Sequence, residues 1–304
     1  MSALRVLPPV ADALAHRRPV VALESSVLAQ GLPIPANREA ATRMIGAVES
    51  VGAISAVTAV VRGTCTLGLT DAELDRFLER EGVRKVAARD LPVAIAQGAD
   101  GATTVAASLC IAARAGVEVF ATGGIGGVHR DAPFDESGDL AELARTPMVV
   151  VCAGAKSILD LPATLERLET LGVTVVGYRT DELPGFFTAT TGLRLAARAD
   201  SPEEIARIHL AARELGRPQA TLVVQPPPAD VALPAAVVNE AVVTAVEDAR
   251  RSNVRGAAVT PFLLAAVERA TGGGSLRANL GLLEQNAALA ARIAVALSTG
   301  GPTH

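Results

Sequence analysis

Residues Val117–Asp160 read VEVFATGGIGGVHRDAPFDESGDLAELARTPMVVVCAGAKSILD. Two apolar runs stand out, VEVFA (117–121) and MVVVCA (148–153). Runs of this length without alternation suit strands buried on both faces of a parallel sheet. The first run breaks into Thr122-Gly-Gly-Ile-Gly-Gly-Val-His129-Arg130. The second breaks into Gly154-Ala-Lys156-Ser157, which reads as the opening of a helix. Asp135, Ser137 and Asp139 lie between them. Ligands of open parallel sheets sit outside the carboxyl ends of the strands, so the stretch predicts a sheet and a site together.

Outward from this stretch, strands and helices alternate. Strands are expected at 19–24, 56–61, 83–88, 173–178 and 220–225. Helices are expected over 37–51, with Asn37 as cap, and over 70–81, where Thr70-Asp-Ala-Glu73 has capping-box spacing. Others are expected from Asp90-Leu-Pro92, over 103–115, over 157–171 and over 202–215. After the stiff connector Gln225-Pro-Pro-Pro, helices are expected at 235–251, 260–271 and 275–297. The pattern predicts an α/β fold: three layers, α/β/α, with a largely parallel sheet, helices on both faces and a helical C-terminal part. A single domain over 1–304 is expected, with 1–16 and 298–304 frayed.

Composition narrows the function classes. The 304 residues are 50% hydrophobic, with net charge −4 and a pI of about 5.7. No basic run marks a nucleic-acid or anionic-membrane surface. No apolar segment reaches the roughly 18 charge-free residues of a membrane span, and no signal layout opens the chain. Cys65, Cys110 and Cys152 are odd in number and without CxxC spacing, as expected of reduced thiols in a cytoplasmic protein. Of 28 positive residues only Lys85 and Lys156 are lysines. A coding bias toward arginine explains the other 26. The two that survive are either incidental surface charges or amines that burial can make neutral and nucleophilic, which arginine cannot become.

Other residues carry two readings each. Glu24 ends the run PVVALE as either a catalytic acid or an ordinary strand-end carboxylate. The loop Gly98-Ala-Asp-Gly101-Ala-Thr-Thr104 offers amides for an anion or is a plain turn and cap. GGIGG (123–127) lacks dinucleotide-binding spacing, so its glycines are expected to admit a ligand close to the backbone. Asp135 and Asp139 share a face if their segment is helical, as ligands for a hard cation or as caps. Phe186 and Phe187 line an apolar ligand or anchor the core. His209 is expected to be solvated or at a boundary.

Eight segments in this order resemble the pseudouridine-5′-phosphate glycosidase family: VALESS (21–26), RKVAARDLP (84–92), GADGATTVA (98–106), FATGGIGGVHR (120–130), FDESGDL (134–140), VCAGAKSILDLP (151–162), TPFLL (260–264) and SLRANL (275–280). The resemblance spans residues 17–297. It implies reversible cleavage of the carbon–carbon glycosidic bond of pseudouridine 5′-phosphate to uracil and ribose 5-phosphate. Lys156 would form the imine with ring-opened sugar, and Glu24 would donate and accept protons. It implies a manganese ion, or another divalent cation, on Asp135. Substrate contacts would come from Lys85, Val105, Ser137, Gly138 and Asp139, and by motif proximity from Thr122, His129 and Asn279. It further implies a homotrimer. Two departures stand out: Ser26 replaces the threonine expected after Glu24-Ser25, and the segment between Arg130 and Asp135 is short.

Two competing readings use the same residues. One is a lyase or aldolase working on another sugar phosphate through Lys156. The other is a non-catalytic sugar-phosphate-binding protein, which needs no neutral lysine. Neither nucleic acid nor membrane is expected as a partner.

Overall fold

The structure, a computed structural model, describes residues 4–130, 134–254 and 259–300. Residues 131–133, in the segment expected to be short, lie outside it. Three short parallel strands form its centre: β2 (Val20–Leu23), β7 (Val119–Ala121) and β8 (Val149–Cys152). Every residue in them is buried, which is why their sequences are continuously apolar. β3 (Ile54–Val61) pairs with the outer side of β2, and β11 (Thr221–Val224) with β8. β9 (Thr174–Tyr178) and β10 (Ala197–Ala199) continue from β11, all parallel. Beyond β3 the direction reverses. β4 (Thr64–Leu67) and β6 (Asp100–Thr103) both pair with it antiparallel. β1 (Leu4–Val6) adds to β4, and β5 (Val83–Val86) adds to β6 alone.

The sheet carries helices on both faces, as expected. α11 (Gly274–Gly300) packs with α2 (Ala36–Glu49) and α8 (Pro202–Glu214) and crosses β2, β7 and β8. By length and composition it is apolar enough to cross a membrane, but Leu282, Leu283, Ala287, Leu289 and Ala290 have no exposed surface. It is a core helix. α9 (Ala235–Arg251) and α10 (Val259–Ala270) pack chiefly on each other. α3 (Asp71–Glu79) begins with the expected capping box: Thr70 Oγ1 accepts from Glu73 N, and Glu73 Oε2 accepts from Thr70 N at 3.0 Å.

Several expectations are corrected. Residues 4–15 are folded, not frayed: β1 joins β4, and α1 (Pro8–Ala15) buries Val10 and Ala13. α11 runs through 298–300, also expected to fray. Residues 100–103 form β6, not an anion loop. A side chain at Gly101 would meet Val86 Cγ2 at 2.5 Å, so this strand must be small to sit between β3 and β5. Asn37 does not cap α2. It is buried in the first turn, donating to the carbonyls of Leu28 and Leu78 at 3.1 and 2.9 Å. Residues 157–160 precede a helix instead of opening one. α7 (Leu161–Thr170) starts after Asp160, whose Oδ1 accepts from Ala163 N at 3.0 Å. Phe186 and Phe187 are core anchors, their rings 4.5 Å apart and both buried.

His209 is not at a boundary. It is 1% exposed on α8, with Nδ1 3.3 Å from Thr221 Oγ1 and no partner for Nε2. Burial, with Arg213 nearby, pulls its pKa down from 6.5 to about 4. The unfolded chain therefore binds a proton here that the folded chain refuses between these values. The stability involved is complete above pH 6.5 and is lost as pH falls toward 4, by up to about 3 kcal/mol. His209→Leu should flatten that part of the stability–pH curve, measured by urea unfolding from pH 7 to 4.

Candidate active site

The register of the three central strands builds the site. Leu23 pairs with Ala121, and Ala121 with Val151, so the chains leave β2, β7 and β8 at one level. The next residues on β2 and β7 are Glu24 and Thr122. Thr122 Oγ1–H donates to Glu24 Oε1 at 2.6 Å, and Ser26 Oγ–H donates to Oε2 at 2.8 Å. The serine at 26 thus keeps the hydroxyl that the expected threonine would supply. Behind Glu24 lies a buried hydroxyl network. Thr103 N donates to Ser25 Oγ at 2.9 Å, Thr103 Oγ1 to the Thr58 carbonyl at 2.8 Å, and Thr58 Oγ1 to the Leu23 carbonyl at 3.0 Å. Buried polar groups satisfied in this way hold the end of β2 in one conformation.

Glu24 is 4% exposed. Burial raises its pKa; Lys156, then the hydroxyls of Thr122 and Ser26, pull it back, while Asp139 raises it further. The carboxyl is thus biased toward holding a proton.

Lys156 follows β8. The Ile125–Ala155 bridge and a bond from Lys156 N to the Ile125 carbonyl at 3.1 Å keep its backbone extended. It lines a cavity of about 490 Å³ with Glu24, Lys85, His129, Asp135 and Asp139. Lys85 reaches this cavity from β5. Lys85 keeps exposed surface, and its pKa is lowered first by the partial desolvation of its amine near the cavity walls, then by the positive Lys156, against the opposing pull of Glu24 and Asp139. Both lysines of the chain therefore meet in one place.

The start of α5 (Val105–Arg114) faces the same cavity through Thr104, Val105 and Ala106. Asp139 ties it down. One oxygen accepts from Ala106 N and the other from Gly126 N, both at 2.9 Å. Asp139 belongs to α6 (Gly138–Leu143), which Ser137 caps. Asp135 lies before that helix, so the two aspartates do not share a helix face.

The GGIGG glycines serve the protein's own packing, and Gly126 also lines the cavity. A Cβ at Gly124 would collide with the Phe186 ring at 2.6 Å, and one at Gly126 with Ser137 and the Asp139 carboxylate.

Asp135 opens on the cavity as an exposed carboxylate, its carbonyl accepting from His129 N at 2.9 Å. Among the described residues no three His, Cys, Asp or Glu side chains converge. This donor set fits a small hard cation that keeps most of its water and takes one carboxylate. It does not fit an all-protein cage.

Asn279 stands apart. It lines a separate pocket of about 210 Å³ with Gln30 and Phe187, and its Oδ1 has no partner. Thr104, whose Oγ1 is also unpartnered, was not singled out from sequence, where one threonine in GADGATT looks like a plain cap. Asn286 and Gln225, bonded to the Thr122 segment, had no sequence signal either.

The indigoidine synthase A like protein family matches residues 9–296. The pseudouridine-5′-phosphate glycosidase of Gemmatimonas aurantiaca is 66% identical over 98% of this chain and 97% of its own. That of Herpetosiphon aurantiacus is 50% identical over 98% and 99%. Among solved structures, the prealnumycin C-glycosynthase AlnA in complex with ribulose 5-phosphate superposes with a TM-score of 0.90, at 40% identity over 97% of both chains. An indigoidine synthase A-like protein from Thermotoga maritima gives 0.87, at 35% identity over 98% of both. With this agreement over nearly its whole length, the chain belongs to the indigoidine synthase A-like family of enzymes that includes the pseudouridine-5′-phosphate glycosidases.

Proposed function

We propose that this enzyme reversibly cleaves pseudouridine 5′-phosphate to uracil and ribose 5-phosphate through an imine on Lys156, with Glu24 moving the proton. The observation that carries the reading is one cavity holding a buried, proton-biased carboxyl at the end of β2 and the chain's two lysines, one after β8 and one on β5. The names of its relatives and the sugar phosphate held by AlnA support the same reading.

A C-glycoside has no heteroatom on the leaving base to protonate, so a pair of carboxylates alone is insufficient. The Lys156 amine replaces the ring oxygen at C1′, and that oxygen leaves as a hydroxyl. Glu24 then protonates uracil C5. The C1′–C5 pair goes to that carbon as the nitrogen lone pair forms the imine. Water hydrolyses the imine, releasing ribose 5-phosphate and restoring the amine.

Lys85 and the start of α5 at Thr104–Val105 suit the phosphate, the first as a point charge and the second through the helix dipole. Ser137, Gly138 and His129 line the sugar side of the cavity in this reading. Asp135 would hold a divalent cation, manganese in the resemblance, which when bound supplies charge to order water and sugar-phosphate oxygens. A homotrimer in the cytoplasm completes the reading, the three free cysteines being in keeping with that location.

Borohydride with ribose 5-phosphate should add one reduced pentose phosphate to the protein, mapping to Lys156. Lys156→Arg should lose the adduct and at least a thousandfold in kcat. An arginine variant that still turns over would overturn the imine; a wild type that binds ribose 5-phosphate with neither adduct nor turnover would be a binding protein, and an aldehyde fragment without uracil would indicate a lyase. Glu24→Gln should abolish turnover yet raise Tm, because the amide oxygen still accepts from one hydroxyl, the other hydroxyl can turn to accept from the amide N–H, and the cost of a buried charge is gone. Calorimetry at pH 7.5 reads the sign; a lowered Tm would mean that the charge stabilises the fold.

A further inference from the structure

We propose that Asn286 and Gln225 form a buried amide relay that positions Thr122, and through it Glu24, for proton transfer. The inference rests on the reading of Glu24 as the acid and base. Asn286 is 1% exposed on α11 and Gln225 is 2% exposed at the end of β11. Neither lines the cavity, yet both are bonded to its frame.

The bonds run in one direction. Gln285 Nε2 donates to Gln225 Oε1 at 3.1 Å, and Gln225 Nε2 donates to Asn286 Oδ1 at 2.8 Å. Because its oxygen is thereby occupied, Asn286 presents its Nδ2–H to the Thr122 carbonyl at 2.8 Å, with the Gly123 carbonyl at 3.4 Å. Gln225 is itself anchored, its N–H donating to the Cys152 carbonyl at 3.0 Å. Thr122 lies just past β7; its N–H still donates to the Val151 carbonyl of β8 at 3.0 Å, but its own carbonyl is met by Asn286, and its side chain holds Glu24 Oε1 at 2.6 Å. A polar chain of this kind in a low-dielectric interior is either fully satisfied or costly, and this one is satisfied in a single orientation. Without the Asn286 bond the Thr122 carbonyl would be left buried and unpaired, and a shift of the Thr122 backbone to relieve it would carry the hydroxyl away from Glu24. The other groups facing Glu24 are Lys156 after β8, Lys85 on β5, Asp139 on α6 and Ser26; substitution at 286 alters none of them.

The test is a pH profile of kcat and KM for the wild type, Asn286→Leu, Thr122→Val and their double variant. The limb belonging to Glu24 is the one displaced in Glu24→Asp, which keeps a carboxyl and residual turnover. Asn286→Leu should lower kcat about tenfold and move that limb upward by about half a pH unit, since a hydrogen bond to the charged form is loosened. KM for the sugar phosphate should stay within twofold. Thr122→Val should move the limb at least as far, and the double variant no further, because both act through one bond. Additive effects, a raised KM with an unmoved limb, or a folded Asn286→Leu enzyme with the wild-type profile would each overturn the relay. If Asn286→Leu does not fold by circular dichroism, Gln225→Leu carries the same test with a smaller shift. A Glu24→Gln enzyme that keeps its turnover instead overturns the catalytic reading, and the relay with it.

Discussion

A carboxyl group without water at the end of a strand is the constraint around which this molecule is built. Glu24 is too buried to be solvated and too functional, in the proposed chemistry, to be replaced. Its two oxygens are therefore met by hydroxyls from Thr122 and Ser26. Those hydroxyls arrive only because β2 and β7 are parallel neighbours in a fixed register. A slip of one residue would turn Thr122 to the opposite face of the sheet and strand the carboxyl. The hydroxyl network behind Ser25 and the amides around Thr122 stabilise that register from two further directions.

Asp139 plays the corresponding part on the other side of the cavity. Its two oxygens join the start of α5 to the glycine loop, so the wall facing Lys156 is held by one carboxylate. The glycines of that loop are obligatory for the same reason. Gly124 lies under the Phe186 ring and Gly126 under Ser137, leaving no room for a methyl group. The loop that borders the cavity is also a packing joint between β7, α6 and the loop after β9.

Much of this was legible in the chain. The central strands read correctly because burial on both faces leaves an uninterrupted apolar signature, as in MVVVCA. Glu24 and Lys156 were legible for a different reason: a charge directly after such a run has nowhere ordinary to go. β6 was missed because its residues, Asp-Gly-Ala-Thr, have turn chemistry, and only the crowding against Val86 makes them a strand. β1, β4 and β10 are short and hold polar residues, so local pattern could not raise them above loop. The face shared by Asp135 and Asp139 failed because Ser137 starts the helix between them. Asn286 and Thr122 are 164 residues apart. No spacing rule connects an amide in a long apolar helix to a carbonyl beyond a strand; only the packing of α11 across the sheet does.

The scarcity of lysine has a practical side. The chain carries two side-chain amines, and both face one cavity. Its outer surface carries its positive charge on arginine, which acylating agents and aldehydes leave largely untouched at neutral pH. For most proteins an amine-selective reagent decorates the exterior. For this one, apart from the α-amino group, such a reagent is a probe of the cavity, and any side-chain amine coupling to a bead or a sensor chip goes through the very groups whose chemistry the immobilised protein is meant to report.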